Sequence, residues 1–348
     1  MNLAEPLELV ALCAVGLVIS VAVLPVPEQQ RRLLARGAAG LAGVAAVAVA
    51  PTFDVVLAAL LALAVLQSAL GGKRSFTVRL RPIVTAIGFL ALAVLFARVD
   101  GPDVLKKFAA VGVVAGMAAL AGIVPYLHDF DAGEPVSASA IVWLGFIGPV
   151  AATVVLLQAQ HFLPPDVGGA LGGMLIGLGL VNMVWGSLAS WRTELTATAW
   201  RYSFVADWGL AMCGFGLTVV DGRRGALLVL FSLVVCRLPL YLVSREALRE
   251  GTETLRPVNL VVAAALSGSA PFAGFAARVL LLRGATELYW PLALTIAVAM
   301  LLWLPGSLRL GRGIGFPRGR QAVGIGIVIA VNVAAGLYPL PLLTWAGL

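Results

Sequence analysis

The chain has 348 residues, of which 61% are hydrophobic and only 12% charged, with a mean hydropathy of +1.00. A water-soluble domain carries about 25% charged residues to wet its surface, so this chain uses lipid as its solvent; a cytosolic enzyme, a disordered chain, a collagen-like repeat and a disulfide scaffold are excluded. The net charge of +7 and pI near 9.8 would suggest nucleic acid in a soluble protein, but the basic residues fall between apolar runs, where they set membrane topology, and no nucleic-acid partner is expected.

A bilayer core about 30 Å thick takes about 20 apolar residues in helical form, and backbone groups in lipid must be satisfied within the segment. The apolar runs therefore predict an all-α, polytopic transmembrane bundle of twelve helices, at 8–26, 37–50, 55–71, 82–98, 107–124, 138–160, 168–190, 203–220, 225–243, 257–283, 288–306 and 323–343. The second run is the shortest. The tenth is long and interrupted by SGSAPFAG at 267–274, where Gly268, Pro271 and Gly274 predict a discontinuous helix. The N-terminus carries two glutamates and no basic region, so a cleavable signal peptide is not expected. Cys13, Cys213 and Cys236 are far apart and inside apolar runs, so neither a disulfide framework nor a Cys-x-x-Cys metal site is available.

Sixteen of the 24 Lys and Arg residues lie in alternate loops, among them Arg31, Arg32, Lys73, Arg74, Arg245, Arg249, Arg309 and Arg312. The positive-inside rule places those loops in the cytoplasm and both termini outside, in a bacterial-type cytoplasmic membrane. One cytoplasmic loop departs from this: PYLHDFDAGEPVS, at 125–137, has three acids and no basic residue. His128, Asp129, Asp131 and Glu134 form either a cytoplasmic proton uptake point, a docking surface or a solvated acidic loop.

Three stretches, spread over residues 105–310, carry a family resemblance. The first holds Pro125, His128, Asp131-Ala132 and Pro135-Val136-Ser137-Ala138. The second, RTELTATAWRYSFVADWGLAMCGFGL at 192–217, holds Thr193-Glu194-Leu195, Tyr202-Ser203, Gly209 and Gly214. The third, SGSAPFAGFAARVLLL at 267–282, holds Pro271, Gly274, Phe275 and Arg278. In this order the motifs resemble the antiporter-like membrane subunits of respiratory complex I (NADH–quinone oxidoreductase), a family that includes multisubunit cation/proton antiporters and membrane-bound hydrogenases. The resemblance implies a divergent member, shortened near its N-terminus, with divergent helices at 1–104, an antiporter-like core at 105–310 and a terminal helix at 311–348. It implies other membrane subunits as partners, protons or sodium as the ions moved, and redox cofactors on those partners, with none in this chain.

The departures bear on function. The family moves protons along buried lysines and a glutamate. The lysine before the Pro-Leu-His stretch corresponds to Leu120 here, the next to Phe146–Ile147, and the glutamate falls in the uncharged run 59–67. Charge is kept only in the second half, where Arg237 and Arg278 stand for lysines. These losses imply a degenerate proton path and a partly architectural role. The other reading is a stand-alone secondary transporter of a small solute or ion, with its site at the broken helix.

The residues themselves give a second argument. Arg237 lies about 10 Å, and Asp207 about 7 Å, from the same side of two antiparallel helices at 1.5 Å per residue, depths at which they can pair. An arginine near a helix centre costs about 2.5–3.5 kcal/mol on insertion scales, which a structural ion pair would offset. An ion-path role and snorkelling are the alternatives for Arg237. Arg278 either lines a polar cavity at the break or snorkels to the interface, as Arg283 is expected to. Asn259, Ser267 and Ser269 read as backbone caps around the break. Trp185, Trp191, Trp200 and Trp208 read as an interfacial belt. Asp54, Asp100 and Asp103 are loop acids without an assigned partner. No catalytic residue, nucleophile–base pair, phosphate-binding loop or metal cluster is found, so substrate chemistry is not expected in this chain.

Overall fold

A computed structural model describes residues 4–24, 27–69, 80–99, 103–127, 146–250, 256–317 and 319–345. The described residues are helical with short connections and no strand. In chain order the helices are α1 (Ala4–Val23), α2 (Pro27–Ala48), α3 (Phe53–Ala69), α4 (Arg81–Arg98), α5 (Asp103–Ala121), α6 (Gly148–Phe162), α7 (Gly168–Arg192), α8 (Thr196–Gly216) and α9 (Val220–Phe231). A π-helical segment, Ser232–Arg237, joins α9 to α10 (Leu238–Glu250). Then follow α11 (Pro257–Ser267), α12 (Ala273–Leu288), α13 (Trp290–Leu301), α14 (Trp303–Arg312), α15 (Arg320–Leu337) and α16 (Leu340–Trp345).

Six stretches are long and apolar enough to cross a bilayer: Pro6–Val23, Arg81–Arg98, Gly168–Arg192, Val220–Arg245, Trp290–Arg312 and Arg320–Leu337. Their outer faces carry bare apolar side chains such as Val18, Leu95, Leu294 and Val323, a surface only lipid or another apolar protein covers. The chain is an integral membrane protein.

The predicted helices are present, with two informative differences in extent. The second, predicted as 37–50, runs from Pro27 to Ala48. Its first turns, PEQQRRLLAR, are too polar for hydropathy to register, yet they are good helix formers with Pro27 at the first position and Glu28 favourably placed at the helix N-terminus. The run 225–243 is longer, from Val220 to Glu250, and passes through the π segment. Residues 138–145 of the sixth predicted helix lie outside the described residues.

The chain divides into two compact units. The first takes in Met1–Ala14, Arg32–Asp129 and Ser137–Leu175. Here α4 and α5 pack along their length. A Cβ on Gly112 would lie 2.7 Å from the Phe89 carbonyl, and one on Gly116 would lie 2.8 Å from Leu90 Cγ. Lipid supplies no hydrophobic force between helices, so such backbone-close van der Waals contact is what holds them. The buried Gln158 amide donates to the Ala48 carbonyl at 2.7 Å, satisfying a free carbonyl at the end of α2. Phe53 and Phe162 stack with ring centroids 4.8 Å apart.

The second unit takes in Val15–Arg31, Phe130–Val136 and Ile176–Leu348. Its centre is α8, buried on nearly every face from Val205 to Gly216. Glycines let neighbours close on it: a Cβ on Gly209 would fall 2.5 Å from the Met183 amide of α7, and one on Gly179 would fall 2.7 Å from the Gly209 carbonyl. Trp200 and Trp208 are fully buried in this helix rather than belted at an interface, and Trp200 packs on Tyr241 at 5.5 Å. The expectation fails for these two because both side chains turn into the bundle, Trp208 from the stretch of α8 that is enclosed on every side. Trp185 and Trp191 are exposed as a belt requires.

Candidate functional site

The second unit holds a charged cluster where α8, the π segment and the α11–α12 break meet. Arg237 is the last residue of the π segment. A π turn widens the helix by one residue and often marks a functional position. Arg237 Nε makes a salt bridge to Asp207 Oδ2, and both side chains are buried. Arg237 Nη2 donates to the Leu266 carbonyl at 2.9 Å. That carbonyl belongs to the last turn of α11, whose end would otherwise leave it unpaired. The guanidinium also lies over the Trp303 ring, 4.8 Å from its centroid.

The break itself is built by glycine and proline. Gly268 ends α11 in the left-handed region at φ +62°, a conformation glycine adopts without the cost a Cβ brings. The Ser267 and Ser269 hydroxyls both donate to the Ala264 carbonyl, at 3.0 and 2.9 Å. Both serines therefore serve as backbone caps. Asn259 does the same at the other end of α11: its Oδ1 accepts from the Arg256 amide at 3.1 Å, and its Nδ2 donates to the Gly311 and Gly315 carbonyls.

Arg278 comes back over the break one turn into α12. A Cβ on Gly268 would stand 3.0 Å from Arg278 Cζ, so the guanidinium rests on bare backbone. It lies 5.6 Å from the Trp303 centroid, so two cations share one indole. Gly274 abuts Gly268, and the Pro271 carbonyl sits where a Cβ on Gly336 would be. The structure thus brings Asp207, Arg237, Arg278, Gly268, Pro271 and Gly274 to one locality. His128, Asp129, Asp131 and Glu134 lie outside the described residues.

Sequence reasoning missed Trp303 and Asn332. Asn332 Oδ1 accepts from the Ala273 amide, the first N–H of α12, at 3.1 Å, and its Nδ2 donates to Cys236 Sγ at 3.0 Å. An isolated amide in the apolar run GIVIAVNVAAG was the available signal. Nothing local marked Trp303. At the opposite end of α12, Arg283 is exposed as expected but is also paired, to Asp221 at 3.0 Å and Glu287 at 3.6 Å. Asp54 has a partner too, Arg98 at 2.5 Å, from α4. No group of three metal-ligating side chains occurs among the described residues.

No family model and no curated protein matches the sequence. Solved structures do. A chain of the archaeal membrane-bound sulfane sulfur reductase, a respiratory membrane complex, superimposes with a TM-score of 0.74 at 14% identity, covering 95% of this chain and 64% of its own. A chain of respiratory complex I from Thermus thermophilus gives 0.74 at 16% identity, covering 98% of this chain and 85% of its own. A chain of the Mrp complex of Dietzia sp. DQ12-45-1b gives 0.74 at 14% identity, covering 98% and 44%.

The chain shares the fold of these complexes' subunits. It spans less than two thirds of the sulfane sulfur reductase chain. The likeness runs through both units, so the fold implied by the three short motifs extends over nearly the whole described chain.

Proposed function

We propose that the chain is an antiporter-like membrane subunit of a multisubunit, redox-driven or cation-translocating complex, with a degenerate proton path and a partly architectural role. The observation that carries this reading is fold likeness over 95–98% of the chain to subunits of three such assemblies. The redox cofactors belong to partner subunits, protons or sodium are the ions moved by the whole, and the lipid-exposed faces pack against lipid and neighbouring helical subunits. Both termini lie outside a bacterial-type cytoplasmic membrane, as the loop charges favour.

The degenerate path is supported by what fills the first unit. Leu120, Phe146 and Ile147, where the resemblance implies lysines, are at most 1% exposed in a tightly packed interior. The buried polar side chains described in that unit are Gln67, Thr153 and Gln158, none of which carries a charge. A proton relay needs groups that titrate, and such groups inside a membrane protein ordinarily mark the path.

Affinity purification and reconstitution test the reading together. The tagged chain is expected to bring other membrane subunits with it. Reconstituted alone in liposomes under an imposed pH or sodium gradient, it is expected to give no pH-dye response. A robust response from the chain alone, lost in Arg278→Ala, would refute the architectural role. Isolation as an active single protein would instead establish the stand-alone transporter.

A further inference from the structure

The charges at the α11–α12 break do not balance. Two guanidinium groups, Arg237 and Arg278, share one carboxylate, Asp207, and that carboxylate is engaged by Arg237 Nε. The other buried acid among the described residues, Asp221, is held by Arg283 at 3.0 Å and Arg224 at 3.9 Å. Arg237 spends Nη2 on the Leu266 carbonyl. Its remaining nitrogen, Nη1, is buried and has no hydrogen-bond partner among the described residues, on a side chain 5% exposed. Arg278 is half-buried; among the described residues it packs on the Trp303 ring and on the backbone at Gly268, and neither pairs with its charge as a carboxylate would.

An excess positive charge with an orphaned donor is a costly thing to bury. The groups left over are all donors, which specifies an acceptor. The surroundings are close-packed, with Gly268 and Gly274 touching backbone to backbone and Trp303 3% exposed, so the acceptor must be small. The two Trp303 distances place the guanidinium carbons at most about 10 Å apart, so an ion on Arg237 lies in the field of Arg278 as well. We propose that this locality binds a small monovalent anion of halide size, hydrogen-bonded by Nη1 of Arg237 and held electrostatically by Arg278. One such ion brings the cluster to neutrality. A phosphate or sulfate dianion would overshoot it. The inference stands apart from the proposed function, since it concerns a resident ion and requires no transport.

Trp303 supplies the readout, because bromide quenches indole fluorescence at contact. The full-length chain in detergent is titrated with sodium bromide against sodium gluconate at constant ionic strength, following tryptophan emission and thermal midpoint. A saturable quenching component, absent in gluconate, is expected together with a bromide-dependent rise in midpoint. Trp303→Phe removes the saturable optical component and keeps the rise in midpoint. Arg278→Gln weakens the bromide midpoint by about tenfold or more, the effect of one nearby charge, whereas Arg278→Lys retains binding. Asp207→Asn, which adds to the positive excess, tightens it. Wild-type quenching that stays linear in bromide, with no gluconate-referenced rise in midpoint, overturns the proposal. So does saturable binding to which Arg278→Gln is indifferent.

Discussion

Replacing Asp207 by alanine should be among the most damaging single changes in the second unit. Arg237 would keep its hydrogen bond to the Leu266 carbonyl and its contact with Trp303, the latter worth about 0.5–2 kcal/mol. It would lose the carboxylate that neutralises it among the described residues. Arg278, at most about 10 Å away by the shared Trp303 contact, would then repel it by about 1.6 kcal/mol or more at an effective dielectric of about 20. Removing one member of a buried pair typically costs about 3–5 kcal/mol because a charge is stranded. Asp207→Ala/Arg237→Met removes both charges and fills the volume, and should recover most of that loss. The assay is a double-mutant cycle on unfolding of the purified chain in mixed micelles with rising dodecyl sulfate, with a coupling of about 2–3 kcal/mol expected. If the two single losses simply add, or if Asp207→Ala is neutral, the pair does not hold this region together and the electrostatic reasoning fails.

Gly336→Ala should destabilise by about 1–3 kcal/mol, the range for overpacking, since its Cβ would land 2.1 Å from the Pro271 carbonyl, a backbone atom that cannot rotate away; the same dodecyl sulfate titration reads it. Gly268→Ala should cost about 1–2 kcal/mol for the left-handed backbone alone and should also displace the Arg278 guanidinium, 3.0 Å from the new Cβ. Asn332→Leu leaves the Ala273 amide at the start of α12 without its acceptor, a loss of about 1–3 kcal/mol for a buried unpaired donor, measurable in the same titration. For topology, single cysteines are placed at Arg31 and Glu287 in a chain lacking Cys13, Cys213 and Cys236. Membrane-impermeant maleimide should label position 287 in intact cells and position 31 only after the membrane is opened, and the reverse pattern would invert the predicted orientation.

The helices were legible because lipid makes the rule simple: the backbone must satisfy itself and the surface must be apolar. The break at 267–274 was legible for the same reason, since glycine and proline there cannot continue a helix. Asp207 and Arg237 could be paired by counting depth from one side of two antiparallel helices. What depth cannot reveal is rotation about the helix axis and which helices are neighbours. Asp221 and Arg283 come from α9 and α12, and Asp54 and Arg98 from α3 and α4; each pair is an acid meeting a base tens of residues away. Trp303 depends on the same information, since nothing in WLPGSL indicates that two arginines converge on it. Trp200 and Trp208 were misread because an aromatic near a helix end suits an interface only if its side chain meets lipid, and both of these turn into the bundle.

Under the proposed function, arginine stands at 237 and 278 where the resemblance implies lysine, and that changes what the cluster can do. A lysine taken out of water gives up its proton readily and so can take part in a relay; a guanidinium, its charge spread over three nitrogens, holds its proton far more firmly. Arg237 is further fixed by Asp207, the Leu266 carbonyl and Trp303. Arg278 is wedged against the Gly268 backbone, its Cζ 3.0 Å from where a Cβ would stand. Such a pair cannot alternate between charged and neutral states, and a cation approaching it meets a standing positive field. The same features that remove the cluster from a proton relay make it suited to holding an anion and to bracing the break between α11 and α12. Under the proposed function, the chain would contribute its shape, and the field of this fixed charge, to whatever the assembly moves.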